Sequence, residues 1–119
     1  MKINEVSKRT NLPISTLRFY ERKNIIPNEF VKRDENNYRV YADEIVEFLK
    51  DVKALLSADF SIEELSLLLN QQLNLSYEEK KILVEQKIKE IEDIQKRLNK
   101  SKKFLIDILE GKVNFQTQC

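Results

Sequence analysis

The sequence predicts a mainly α-helical chain: a small head of short helices with one β-hairpin, then a single long helix. Three observations carry this reading. Apolar residues recur at a spacing of three to four in several short segments, each closed by a turn residue. One stretch, YRVY at 38–41, has the alternating, β-compatible composition of a strand. From Ser76 to Glu110 no Pro or Gly interrupts the helix-forming residues.

Residues 3–10 read as a short helix with Ile3, Val6 and Thr10 inward. Asn11 can close it, because Asn tolerates the left-handed conformation that Gly usually supplies. Pro13 suits the first turn of a second helix, in which Ile14, Leu17 and the ring of Tyr20 share one face and Asn24 ends the run. Two short helices with a tight turn between them are a helix-turn-helix candidate. Ile25-Ile26-Pro27 anchors the exit. VKR (31–33), the polar DENN (34–37) and YRVY (38–41) then form a hairpin, or wing. Asp43 and Glu44 open a third helix through Ile45, Phe48, Leu49, Val52, Leu55 and Leu56. Phe19, Phe48 and Phe60 are expected to serve the core. Ser61-x-x-Glu64 and Ser76-x-x-Glu79 are capping boxes, starting a fourth short helix and the long one.

The long helix, about 50 Å over 76–110, is too long for so small a head to bury. Its pattern is heptad-like. One seam position holds Tyr77, Val84, Ile91, Leu98 and Leu105; the other holds Lys81, Ile88, Gln95, Lys102 and Leu109. The first is apolar throughout, which argues for a coiled-coil partner, and the polar residues of the second can set register. Glu85 with Lys89 and Glu92 with Lys96 add support along the flanks. Val84, Ile88, Ile91, Leu98 and Leu105 are therefore the expected dimerisation residues. The expected organisation is a head at 1–75, a dimerisation helix at 76–110 and a tail at 111–119.

Composition removes much chemistry. There is no His, one Gly and one Cys, Cys119, among 119 residues. General acid–base work by His, most zinc and copper sites, Gly-rich phosphate loops and cysteine clusters are thereby excluded within one chain. No metal, cofactor or enzymatic activity is expected. No run of about 18 apolar residues is present, and MKINEVSKRT is not a signal peptide, so a cytoplasmic location is expected. The net charge of +1 hides segregation: residues 1–41 carry +4, residues 42–75 carry −5 and residues 76–119 carry +2. A basic head favours a polyanion, because steering follows the local field and not the total.

Thr16-Leu17-Arg18-Phe19-Tyr20-Glu21, then Asn37-Tyr38-Arg39-Val40-Tyr41, then the helix from Asp43 and the start Phe60-Ser61-Ile62-Glu63-Glu64, occur in this order. With a long helix after them, they resemble the MerR family of transcription regulators over essentially the whole chain. The likeness is to short members without a large effector-binding domain. Asn4, Asn11, Asn24, Asn37 and Asp59 stand where Gly is common in that family, Pro13 where a Ser or Thr cap is common, and Leu56 where a basic residue is common. The cysteines of its metal-sensing and iron–sulfur members are missing.

The resemblance implies a winged helix-turn-helix DNA-binding domain and an antiparallel coiled coil of two long helices. It implies double-stranded promoter DNA, a second copy of the chain and RNA polymerase as partners. Such dimers bind promoters with an overlong spacer, and an activating signal lets them bend and untwist the DNA, at a cost of a few kcal/mol. The expected DNA-binding residues are Ser15, Thr16, Arg18, Tyr20, Lys32, Arg33, Tyr38 and Arg39. Arg18 has the chemistry for bidentate phosphate or guanine contact. Ser15 and Thr16 lie at the end of the second helix where recognition helices meet base edges. Tyr20, Tyr38 and Arg39 match the family's backbone contacts, while Lys32 and Arg33 could reach phosphates or the minor groove. Two rivals stay open: a constitutive DNA binder without effector, and an interaction module whose coiled coil or tail docks a metabolic enzyme. Cys119 is read as an inert tail end, with a thiol sensor, or a single metal ligand shared across a dimer, as the sharper alternative; one soft ligand per chain makes a poor metal site.

Overall fold

The computed structural model describes residues 1–113. The chain divides into two compact units, Met1–Leu83 and Val84–Cys119. In the first, α1 (Ile3–Thr10) and α2 (Ile14–Arg22) are followed by a single 3-10 turn, Asn28–Phe30. The strands β1 (Val31–Arg33) and β2 (Arg39–Tyr41) come next, then α3 (Ile45–Ser57), α4 (Ile62–Leu69), a second 3-10 turn at Gln71–Leu73, and the start of α5 (Tyr77–Leu109). The expected mainly helical, winged architecture is therefore present.

The α1–α2 turn is built as its residues require. Asn11 adopts φ 56° and ψ 35°, and its N–H returns to the Ser7 carbonyl. Ser7 Oγ donates to Leu12 O in the turn at 2.5 Å, and Lys53 Nζ donates at 2.7 Å to Thr10 O, a carbonyl that the end of α1 leaves open. Pro13 sits one position earlier than expected. It is the extended residue before α2 (φ −59°, ψ 148°), not part of its first turn. Its carbonyl accepts Thr16 and Leu17 N–H groups, so the cap is backbone-made and uses no side chain.

Asn24, Asn37 and Asp59 also take positive φ, at 56°, 64° and 70°. Asn4 does not: it lies within α1 and has an ordinary helical backbone, so nothing there calls for Gly. Asn74, at φ 52° after the second 3-10 turn, is a left-handed position the sequence reading missed.

The hairpin is antiparallel, pairing Val31 with Tyr41, Lys32 with Val40 and Arg33 with Arg39. Three-residue strands are marginal alone. Here the turn is fixed by Asp34, whose Oδ1 accepts the Asn36 and Tyr38 N–H groups at 2.9 Å each. The far end is fixed by Tyr41, 1% exposed in the core.

That core gathers Val6 of α1, Leu17 and Tyr20 of α2, Ile25, Ile26, Tyr41, Ile45, Leu49 and Val52 of α3, Phe60, and Leu65 and Leu68 of α4. Each fully buried aliphatic side chain contributes about 1.5–3 kcal/mol of transfer free energy. Phe60 is buried as expected, whereas Phe19 and Phe48 are half-buried and pack against the core's edge. The capping box Ser61–Glu64 has both of its hydrogen bonds, at 2.9 and 3.1 Å, and Ser76–Glu79 reproduces it at 3.4 and 3.1 Å.

α5 is 33 residues long, about 50 Å. Leu83 packs against the head's core. Beyond it, Val84, Ile88, Leu98 and Leu105 are exposed, and Ile91 is half-buried. Leu109 of the second seam position is exposed too, and so are Ile94, Phe104 and Ile106, so the exposed apolar residues extend beyond the two seam positions.

Candidate nucleic-acid interface

α2 is amphipathic in a way that sorts its side chains. Leu17 and Tyr20 point inward, while Ser15, Arg18 and Arg22, at i, i+3 and i+7, share an exposed face. The wing is fastened to this helix by Glu21. Its Oε1 accepts the Tyr41 hydroxyl, and its Oε2 takes Arg39 Nε at 2.9 Å. Burial and this hydrogen bond both push the Tyr41 hydroxyl well above the ordinary phenol range, so it remains a protonated donor.

Two adjoining open grooves of about 600 and 450 Å³ lie along α2 and the wing. Arg18, Arg22, Lys32, Arg33 and Arg39 line the first, against a single carboxylate, Glu21. Lys2, Arg18, Arg33, Tyr38 and Arg39 line the second. Arg18, Arg33 and Arg39 border both. The one acid is engaged by Tyr41 and Arg39, so the cationic excess faces outward: an anion of extended shape fits this surface.

The structure thus gathers five of the eight expected DNA-binding residues: Arg18, Lys32, Arg33, Tyr38 and Arg39. Ser15 and Thr16 lie outside both grooves, on the first turn of α2, where Ser15 is exposed and Thr16 half-buried. Tyr20 is 4% exposed, and burial raises its hydroxyl's pKa, so the ring belongs to the core. Two of the cations are not idle. Arg33 Nη1 donates to Asn37 O at 2.8 Å, and Arg39 pairs with Glu21. Tyr38 is 64% exposed, with Lys2 Nζ 5.2 Å from its ring centroid.

Sequence reasoning missed Arg22, Lys2 and the role of Glu21. Arg22 was findable, standing one helical turn after Arg18 on the same face. Lys2 was not: its 2.5 Å ion pair with Asp34 joins residues 32 apart, and only the folded chain brings them together. That pair, ahead of the two backbone N–H donors, holds the Asp34 carboxyl below the usual carboxylate range. The remaining candidate, Cys119, lies outside the described residues. Among the described residues no cluster of His, Cys, Asp or Glu could hold a metal ion, and no helix is long and apolar enough to cross a membrane.

A cationic face shared by the second helix of a helix-turn-helix and the wing beside it defines a winged nucleic-acid-binding domain. Residues 1–72 match the MerR HTH family of regulatory proteins, and the chain belongs to that family. It is 32% identical to the HTH-type transcriptional regulator YfmP of Bacillus subtilis, over 95% of this chain and 80% of that protein. The HTH-type transcriptional regulator AdhR of the same organism is 38% identical over 65 residues, 55% of this chain but only 45% of AdhR. In fold, the chain is similar to HiNmlR, a MerR family regulator lacking the sensor domain, solved bound to promoter DNA. The TM-score is 0.68 at 24% identity, covering 93% of this chain and 85% of that one.

Proposed function

We propose that this protein is a homodimeric transcription regulator that binds promoter DNA sequence-specifically and acts by distorting it, with RNA polymerase as its further partner and no catalytic activity of its own. The observation that carries the reading is the pair of grooves in which Arg18, Arg22, Lys32, Arg33 and Arg39 converge. Guanidinium groups suit phosphate and guanine, and a helix flanked by a wing presents both base-reading and backbone-positioning groups. Membership in the MerR HTH family and the likeness to the regulators YfmP and AdhR support transcription as the process. The exposed apolar residues Val84, Ile88, Leu98 and Leu105 support a second copy as the partner of α5. Two heads so joined would meet two-fold-related half-sites. The setting is the cytoplasm, where such a promoter is accessible.

Selection from a random-sequence duplex pool tests this reading. An enriched, two-fold-symmetric site should emerge. Its affinity should fall linearly with log salt, with a slope of about −0.9 per phosphate neutralised. Recovery of no enriched sequence, or equal binding to scrambled duplex at every salt concentration, would falsify it.

A further inference from the structure

A carboxylate among the cations lining a groove is out of place if the groove only attracts phosphate, because it weakens the local field. Glu21 is that carboxylate, and its side chain is only 16% exposed. Its two oxygens are used on two different residues of β2, the Tyr41 hydroxyl and Arg39 Nε, so one side chain of α2 holds one strand of the wing at two points. Tyr41 is buried in the core, so the Glu21–Tyr41 link joins α2 to a strand end that the core already holds. Arg39 is half-exposed, lines both grooves and meets Glu21 through Nε, the side nitrogen of its guanidinium. The two terminal nitrogens of a guanidinium form an end-on fork of the kind that meets a phosphate bidentately.

We infer that Glu21 is a positioning residue, which locks the wing to the recognition helix and sets the Arg39 guanidinium for a bidentate backbone phosphate of the duplex. The inference rests on the DNA-binding reading above and assigns Glu21 a part that runs against its charge. Simple electrostatics and positioning then predict opposite outcomes. If Glu21 merely opposed the polyanion, its removal would tighten binding to every duplex. As a positioning residue, its removal lowers affinity for selected and scrambled duplex alike, because a backbone phosphate carries no sequence information.

The test compares the full chain with Glu21→Gln and Glu21→Ala, using the duplex selected by the unaltered protein and a scrambled duplex of equal length. Folded fraction is matched beforehand by circular dichroism. Glu21→Ala should lower the affinity for both duplexes about tenfold, the scale of one charge-assisted hydrogen bond. Glu21→Gln, which keeps an acceptor for Tyr41, should lie between. A second measurement needs no DNA: the Arg39 Nε–H resonance should be resolved and slow to exchange in the unaltered protein and lose that protection in Glu21→Ala. Tighter binding of both duplexes, or an Arg39 signal indifferent to Glu21, would overturn the assignment. Failure of the unaltered protein to select any duplex would count against the DNA reading alone, and the resonance would still decide whether Glu21 holds the wing.

Discussion

The head and the long helix solve the burial problem in opposite ways. In the head, Val6, Leu17, Ile25, Ile45, Leu49, Val52 and Leu65 are all at 0% exposure, drawn from segments spread over some sixty positions of sequence. In α5, by contrast, Leu98 is 55% exposed, Leu105 60% and Leu109 87%. The same residue type is therefore spent on internal cohesion in one region and held outward in the other. Stability of the head should be a property of the single chain, and that of α5 a property of concentration, since an isolated helix draws most of its stability from packing.

The sharpest way to break the contrast is to remove one side chain from each region. Leu17→Ala should cost the head about 2–5 kcal/mol, by lost transfer energy plus a cavity. That loss, read by denaturant unfolding, should be the same at any protein concentration. Leu98→Glu should instead leave the head's unfolding unchanged and abolish the dimer, because a carboxylate on the seam would have to be desolvated without a partner. Sedimentation should then find monomer at micromolar concentration; a dimer that survives would sink the seam.

Much of this contrast was legible beforehand, and the reasons are local. Turn residues announce themselves, so Asn11 and Asn24 were placed as helix ends from the sequence alone, while Asn37 and Asp59 were marked as standing where the family has Gly; all four adopt positive φ. Capping boxes span three residues and needed no tertiary knowledge. The heptad positions are likewise a count along the chain. What stayed hidden depends on residues far apart meeting in the fold. Glu21 was visible only as part of a family motif, and its task becomes clear once Tyr41 and Arg39 stand against it. Asn4 shows the reverse error: a family position was carried over, but the local backbone there is plain helix.

A smaller effect separates the interface from the core beneath it. Arg18 is exposed on α2, while Leu17 beside it is fully buried. Arg18→Ala should therefore weaken binding to the selected duplex by about 1–3 kcal/mol, and leave the unfolding midpoint almost where it was. Unchanged affinity at several salt concentrations would remove Arg18 from the interface and shift the weight to Arg22 and Lys32.

The smallest expected effect is at the wing tip, where Asp34 joins Lys2 and the Asn36 and Tyr38 N–H groups. These contacts lower the Asp34 pKa from its ordinary value of 3.8, with Lys2 the largest cause. The sign follows from linkage: a carboxyl whose folded pKa lies below its unfolded value adds stability above the unfolded pKa. That contribution is lost as pH falls through the folded pKa, so the tip should be intact at neutral pH and loosen below about 3.8. Because the pair is exposed, salt should erode it too. The check is the amide chemical shifts of Asn36 and Tyr38 followed from pH 6 downward. They should move together with the Asp34 titration while core amides such as that of Leu49 stay still, and Asp34→Asn should flatten the response. Wing and core amides shifting in a single step would instead mean that the wing has no local equilibrium of its own, and that the tie made by Glu21 and Tyr41 already governs the whole hairpin.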